Sequence, residues 1–276
     1  MKIGMPSMTS VSTLEDCVAL CKGLCLDFIE FNANQPQFLA RAIDPEVFDR
    51  TLRQEGLFCT FHLDENLDPC HFDSKIASAY QRSVLDSIAL AQQLETPVLN
   101  MHMPMGTWFT LPEERVYLYQ QYEDQYLSRL KRFRNRCQKA IGDSGLRICV
   151  ENTTGWPPHS RKGLELLLES PVFELTMDVG HNMRTKGRDE GFFVRHLDRL
   201  RHMHLHDVAG DRDHQPLGAG EMDLAAPLDL AEERDCTCVL EVRDPQALTE
   251  SAYWVANYFG RVKPQRLEEE AARARG

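Results

Sequence analysis

Short apolar runs alternate with longer stretches of helical apolar spacing along most of the chain. Eight runs rich in Val, Ile, Leu, Phe and Cys predict β-strands, at 2–6, 26–31, 57–63, 97–102, 147–151, 173–178, 201–206 and 238–242. Helical spacing predicts helices near 12–22, 45–55, 74–94, 112–141, 161–169, 189–198, 224–233 and 246–260. Strands that alternate with crossover helices are typical of a parallel sheet.

The eight repeats of strand and helix favour closure into a (β/α)8 TIM barrel of the α/β class. A doubly wound open sheet shares this alternation, but its G-x-G-x-x-G turn does not follow the first strand. The length of 276 residues suits one barrel, and no linker or sequence repeat divides the chain. We expect a single barrel over residues 1–262, followed by a charged C-terminal tail at 263–276.

The start of the fourth helix carries its own signal. Thr110 and Glu113 have the spacing of a capping box, and Pro112 is tolerated in a first helical turn. These residues predict that the long helix begins at residue 112.

The charge balance argues against DNA as a partner. The formal net charge is −11, whereas DNA binding depends on neutralising phosphates with Lys and Arg. One basic cluster lies on the fourth helix, and we interpret it as a solvated helical face. It consists of Lys131, Arg132, Arg134, Arg136 and Lys139.

The cysteines and the absence of long apolar runs predict a cytoplasmic protein without membrane association. The nine cysteines are an odd number, and neither an N-terminal apolar segment nor a run of eighteen apolar residues is present. We interpret Cys17, Cys21 and Cys25 as small buried hydrophobic residues around the first helix. The oligomeric state is left open, and a homo-oligomer is compatible with the sequence.

Carboxylates and imidazoles occupy the ends of the predicted strands, where the active site of a barrel lies. Converging carboxylates raise one another's pKa values unless a cation neutralises them, and an imidazole supplies a neutral ligand to the same ion. The sequence therefore predicts a divalent metal site. Mixed oxygen and nitrogen ligands suit Zn, Mn or Co, while Mg prefers fewer imidazoles. The strand-end residues are Glu30, Asn32, His62, His102, Glu151, Asn152, Asp178, His181, His204, His206, Asp207 and Glu241.

Three histidines alternate along the seventh strand. His202, His204 and His206 share one face, because side chains of a strand alternate with period two. Only one or two of them can reach the rim, and we interpret His202 as structural. The residues alone leave the choice of ligand between His204 and His206 open.

Several motifs follow the later strands in a fixed order. They are Val150-Glu151-Asn152, Met177-Asp178-Val179-Gly180-His181, Met203-His204-Leu205-His206-Asp207, His214 with Leu217-Gly218-Ala219-Gly220, and Leu240-Glu241-Val242. In this order they resemble the superfamily of xylose isomerase-like barrels, which includes sugar isomerases, sugar epimerases and endonuclease IV-type apurinic endonucleases. The resemblance covers roughly residues 1–260. It implies a metal site of Glu151, Asp178, His204 and Glu241, with His181 directed toward substrate or a further metal.

The two branches of this superfamily need different residues. An isomerase or epimerase uses two carboxylates beside the substrate carbon, and Glu151 and Glu241 fit that pair, with His181 as a further catalytic residue. The endonuclease-like branch uses additional metal ligands to cleave a phosphodiester. His62, His102, His181 and His214 match its positions, with Asp211 or Asp213 as an accompanying ligand. In the endonuclease-like branch, the Asp and His of the loop after the seventh strand are two positions apart. Asp211 and His214 are three positions apart, and this difference counts against a third metal ion.

We therefore expect a metal-dependent sugar or sugar-phosphate isomerase or epimerase. The alternatives are an endonuclease IV-like hydrolase of a phosphodiester or phosphoester, and a barrel that binds a ligand without catalysis. Trp108 and Trp156 follow the fourth and fifth strands, and an aromatic face packs well against the C–H face of a sugar. We expect both tryptophans, together with His206, to contact the substrate.

Overall fold

Eight parallel strands form a closed barrel in the computed structural model, which describes residues 1–260. Each strand pairs with the next along the chain, and β8 closes the barrel against β1. This confirms the predicted (β/α)8 barrel. The predicted tail lies outside the described residues, as do positions 261 and 262. The strands are β1 (Lys2–Pro6), β2 (Phe28–Asn32), β3 (Phe58–His62), β4 (Val98–His102), β5 (Arg147–Glu151), β6 (Phe173–Asp178), β7 (Leu200–Leu205) and β8 (Thr237–Leu240).

Helices connect the strands and cover the outside of the barrel. They are α1 (Leu14–Gly23), α2 (Pro45–Gln54), α3 (Ser74–Gln93), α4 (Leu118–Gln121), α5 (Glu123–Ile141), α6 (Pro158–Leu168), α7 (Val179–Arg184), α8 (Glu190–Arg195), α9 (Ala225–Glu233) and α10 (Pro245–Tyr258). Two 3-10 turns, Pro36–Phe38 and Leu197–Arg199, complete the helical segments. Within residues 1–260, none of the helices combines the length and apolar content that a membrane span requires.

The predicted start of the fourth helix is wrong. Trp108–Thr110 and Arg115–Tyr117 form an antiparallel hairpin, in which Thr110 pairs with Arg115. The backbone N–H of Leu111 donates to the carbonyl of Glu114 and closes the turn. Cross-strand pairing thus satisfies the backbone groups that a helical first turn would have left to side-chain caps, and aromatic and β-branched residues favour this alternative. The helical segments α4 and α5 follow.

Two predictions about which side chains are exposed need correction. Arg134 is buried and connects α5 to α6, because its guanidinium donates to the carbonyl of Leu166 and pairs with Glu169. It is therefore not part of a solvated face. Cys17 and Cys21 are buried as expected, but Cys25 is exposed.

The interior of the barrel is unusually polar. Glu30 of β2 contacts His202 of β7, and Thr176 of β6 donates to Asn100 of β4. These strands are not neighbours, so the side chains meet across the lumen. Branched aliphatic residues usually fill this space in such barrels. Here the aliphatic core lies mainly between the strands and the helices, and polar side chains at most 2% exposed occupy the middle of the lumen.

Gly4 allows two aromatic rings to fit beneath this polar region. A Cβ atom at Gly4 would lie 2.6 Å from a ring carbon of Phe28, whose ring stacks on Phe58 at a centroid distance of 4.9 Å.

We expect Gly4→Ala to lower the free energy of unfolding by about 1–3 kcal/mol through overpacking, measured by urea denaturation. Gly23→Ala is the control, because nothing lies within 4 Å of its added Cβ. Equal stability of the two variants would contradict this account.

Candidate metal centre

Four of the polar strand ends converge at the carboxyl-terminal mouth of the barrel. Glu151 ends β5, Asp178 ends β6, His204 lies near the end of β7, and Glu241 directly follows β8. One potential ligand atom from each of these side chains lies within 4.8 Å of the others. This group is the same four residues that the sequence motifs imply.

The spacing of these atoms suits a shared ion. Nδ1 of His204 lies 3.4 Å from Oε2 of Glu151 and 3.3 Å from Oε2 of Glu241. Two ligands bound to one ion at about 2.1 Å lie about 3.0–3.4 Å apart. Oε1 of Glu151, both ring nitrogens of His204 and Oε2 of Glu241 are also buried without a well-aligned hydrogen bond to any described residue. Buried polar atoms without partners are costly, and a divalent cation would satisfy the two carboxylate oxygens and one of the two ring nitrogens.

The charges within this group compensate one another. Burial alone raises the pKa of Glu151 and of Glu241, but the surrounding imidazoles together more than offset it, so both pKa values lie below the usual range of a carboxyl group. His204 acts on both carboxylates, with His102 and His181 adding to it at Glu151 and His214 at Glu241. Burial likewise lowers the pKa of His204, but Glu151, Glu241 and Glu30 raise it well above its ordinary value. A proton on His204 therefore supplies the positive charge that a metal ion would replace.

A second group of ligand atoms shares Glu151. Nε2 of His62 and Nε2 of His102 lie 3.3 and 3.6 Å from Oε2 of Glu151. Nδ1 of His62 lies 2.8 Å from the carbonyl of Leu63 and donates to it, which leaves Nε2 available as a ligand. The structure thus brings His62 and His102 to the position where the sequence analysis expected additional metal ligands.

A third group consists of His181, His206 and His214. Nδ1 of His206 accepts the backbone N–H of His214 at 2.9 Å, so the ring proton belongs on Nε2, which lies 3.1 Å from Oδ1 of Asp178. Both nitrogens of His206 are engaged in positioning other groups, and its side chain is fully buried. The structure therefore places His206 behind Asp178 and not against a substrate. Gly180 leaves room for this ring, because a Cβ there would lie 2.0 Å from its Cε1.

Asp213 does not join these groups of ligand atoms. Its carboxylate pairs with Arg184 and lies 3.8 Å from Nη2 of Arg243. The two guanidinium groups compensate its charge, and among residues 1–260 Asp213 belongs to none of the groups of potential ligand atoms. His214 is different, because it lies at the wall of the central cavity.

A cavity of about 540 Å³ opens above the four converging side chains. Neither predicted tryptophan lines it. Trp108 is on the exposed hairpin, and Trp156 is 3% exposed and packs between Phe192 and Phe193. The cavity wall instead includes residues that strand-end reasoning missed. Ser7 directly follows β1 and could have been found by the same rule, but Gln35, Glu65 and Arg243 lie in loops without such a signal.

A family model described as a xylose isomerase-like TIM barrel matches residues 18–258. The chain belongs to the xylose isomerase-like TIM barrel family. A comparison of this chain with curated protein sequences found no match.

Solved structures of this fold include several sugar epimerases. A D-tagatose 3-epimerase-like protein is 18% identical, with a TM-score of 0.75 over 94% of this chain and 97% of its own. The 3-keto-D-glucoside 4-epimerase YcjR from E. coli is 15% identical, with a TM-score of 0.73 over 93% of this chain and 99% of its own. An L-ribulose 3-epimerase is 15% identical, with a TM-score of 0.72 over 99% of this chain and 97% of its own. Likeness at these identities shows a shared fold.

One buried carboxylate organises the loop that carries His214 in this xylose isomerase-like barrel. Asp207 accepts the backbone N–H groups of Val208, Gly218, Gly220 and Met222. An amide at this position would turn a donor toward two of these N–H groups. We expect Asp207→Asn to lower the free energy of unfolding by at least about 2 kcal/mol, because hydrogen bonds to buried charged groups are strong.

Asp223→Asn is the matched control for this prediction. The exposed carboxylate of Asp223 accepts one backbone N–H, from Ala225. Its loss should change the free energy of unfolding by less than about 1 kcal/mol. Urea denaturation of both variants measures the difference, and an equally mild effect of Asp207→Asn would show that the loop does not depend on this carboxylate.

Proposed function

We propose that this chain is a divalent-metal-dependent sugar or sugar-phosphate isomerase or epimerase, which moves a proton next to a ketose carbonyl. The observation that carries the proposal is the convergence of Glu151 and Glu241 from two non-adjacent strands on Nδ1 of His204. Proton transfer at a carbon needs two such groups beside it. The sugar epimerases among the structures that share this fold support the same class of substrate.

The four converging residues would hold the metal ion. Glu151, Asp178, His204 and Glu241 provide the mixed oxygen and nitrogen donors that suit Zn, Mn or Co, with Mg less favoured. When bound, the ion supplies a Lewis acid that polarises the carbonyl and hydroxyl oxygens of a ketose and so acidifies the neighbouring C–H.

The two carboxylates would carry the proton. One of them accepts it from the substrate carbon, and the other returns a proton to the opposite face of that carbon in an epimerisation; return to the neighbouring carbon gives isomerisation. Glu241 is 24% exposed and faces the cavity, whereas Glu151 is 1% exposed and lies deeper. Asn100 donates to Oε2 of Glu151 at 2.5 Å and accepts from Thr176, which fixes the direction of the deeper carboxylate.

His181 would hold a hydroxyl group of the substrate. Its side chain lies at the cavity wall, and its Nδ1 donates to the backbone carbonyl of Asn152 at 3.3 Å and lies 3.1 Å from Oδ2 of Asp178. These contacts orient the ring and leave Nε2 to bind the sugar.

A second candidate function is a multi-metal phosphoester hydrolase. The observation that favours it is the group of His62 and His102 around Glu151, which would hold a further ion. A phosphodiester substrate also calls for cationic side chains, and among the described cavity-lining residues Arg243 is the one Lys or Arg. This balance favours the sugar substrate. The complete set of ligand groups also argues against a barrel that only binds a ligand.

The metal content tests both functions. We expect the purified protein to bind a divalent transition metal and Glu241→Ala to weaken the affinity by at least roughly tenfold, measured by elemental analysis and chelator competition. Glu65→Ala is the control, because Glu65 lines the same cavity outside the ligand groups. One or two ions per chain fit the isomerase, and three fit the hydrolase. Wild-type protein that shows no metal uptake or thermal shift with Mn or Zn would refute the metal site.

Isotope exchange tests the reaction itself. With a suitable ketose or ketose phosphate in deuterium oxide, we expect deuterium to enter at the carbon beside the carbonyl. Glu151→Gln or Glu241→Gln should lower this rate by at least about 100-fold, because each removes an acid–base group. Asp223→Asn should leave the exchange rate close to that of wild type, because Asp223 is exposed and lies outside the central cavity. Mass spectrometry and NMR measure the label, and phosphate release from a phosphoester without any exchange would support the hydrolase.

A further inference from the structure

A buried carboxylate lies directly beneath the proposed metal site. Glu30 of β2 is 2% exposed and reaches across the lumen to β7. Its Oε1 lies 2.9 Å from Nε2 of His204, and its Oε2 lies 3.0 Å from Nε2 of His202. Oε2 also accepts the hydroxyl of Thr60 at 3.0 Å. The carboxylate is therefore hydrogen-bonded to Thr60 and His202, its contact with Nε2 of His204 is a close charge contact without hydrogen-bond alignment, and it does not line the cavity.

The two ring nitrogens of His204 have different surroundings. Nδ1 faces the carboxylates of Glu151 and Glu241, whereas Nε2 faces Glu30. A neutral imidazole carries one ring proton, and only the other nitrogen can bind a metal ion. A carboxylate can accept a proton but offers none. With the charges of Glu151 and Glu241 taken up by a metal ion, Glu30 would be the carboxylate left beside the ring and would favour the form of His204 with the proton on Nε2.

We propose that Glu30 is a positioning residue, which keeps the ring proton of His204 on Nε2 and thereby makes Nδ1 the metal-binding nitrogen. This inference rests on the metal site of the proposed function but not on the sugar reaction. Thr60 and His202 hold the carboxylate in place, and Nδ1 of His202 lies 2.6 Å from the hydroxyl of Thr237. His202 is fully buried and lies outside the cavity wall, which supports the structural role expected from the sequence.

A different role for these residues has to be distinguished. Glu30, His202 and His204 also place potential ligand atoms within reach of one ion. All three side chains are almost completely buried, and Glu30 already lies within 3.0 Å of the other two. An ion there would displace both contacts and bind Nε2 of His204 instead of Nδ1. The nitrogen that binds the metal therefore separates the two arrangements.

Metal affinity without substrate provides the first test. We expect Glu30→Gln to weaken Zn binding by roughly 10–100-fold in chelator competition, because an amide is a weaker acceptor and can offer a donor to His204. Glu174→Gln is the matched control. Glu174 is a buried glutamate of the same barrel that pairs with Arg199 and belongs to none of the groups of potential ligand atoms, so its Zn affinity should stay close to that of wild type. Wild-type affinity in Glu30→Gln would overturn the inference.

Nitrogen-15 NMR of the histidine rings in the wild-type protein provides the second test, and it decides the question even where Glu30→Gln does not fold. In the Zn-loaded protein, we expect the His204 ring to carry its proton on Nε2 and the metal on Nδ1. The signal is assigned by its loss in His204→Gln. Zn on Nε2 would overturn the inference. Zn binding as expected, combined with no deuterium exchange on any sugar, would overturn the proposed reaction alone.

Discussion

The centre of this protein contains closely packed carboxylates, and the structure depends on the groups that neutralise their negative charges. Glu30, Glu151 and Asp178 are each at most 2% exposed, so water cannot screen their negative charges. Imidazoles and amides surround them instead, and His204 lies between Glu30 below and the pair of Glu151 and Glu241 above. The strand register of the barrel fixes this arrangement of carboxylates and imidazoles, because β7 pairs with both β8 and β6 at the level of His204.

The polar lumen also changes where the fold gains its stability. An ordinary barrel buries aliphatic side chains both inside and outside the strands. Here the large apolar residues lie mainly outside, where the helices pack on the sheet, as shown by the contact of Phe133 on α5 with Phe173 on β6. The interior instead supplies orientation, through bonds such as that from Thr176 to Asn100. The outer layer stabilises the barrel, and the inner layer specifies the directions of the side chains at its mouth.

The sequence predicts the barrel and the strand ends that converge because both depend on simple periodicity, whereas the choice of His204 over His206 comes from the family resemblance. Buried parallel strands are continuous apolar runs, and the residue that ends each run must lie at the common mouth. Other features depend on contacts between distant segments. The position of His206 is set by a backbone N–H of His214, and Trp156 is buried because α8 brings Phe192 and Phe193 against it. Likewise, the residues around Thr110 satisfy two local rules, and pairing with Arg115 decides between them.

The close approach of Gly180 to His206 links two positions that lie on different segments. The three atoms nearest to a Cβ atom at 180 all belong to the imidazole of His206, so that ring is the first obstacle to a side chain there. In evolutionary terms, the two positions form a pair whose members constrain each other. A related barrel with a small residue at the equivalent of 206 would lack this obstacle to alanine or serine at the equivalent of 180. It would then also lose the imidazole that supports Asp178, so the carboxylate at that position would need another partner.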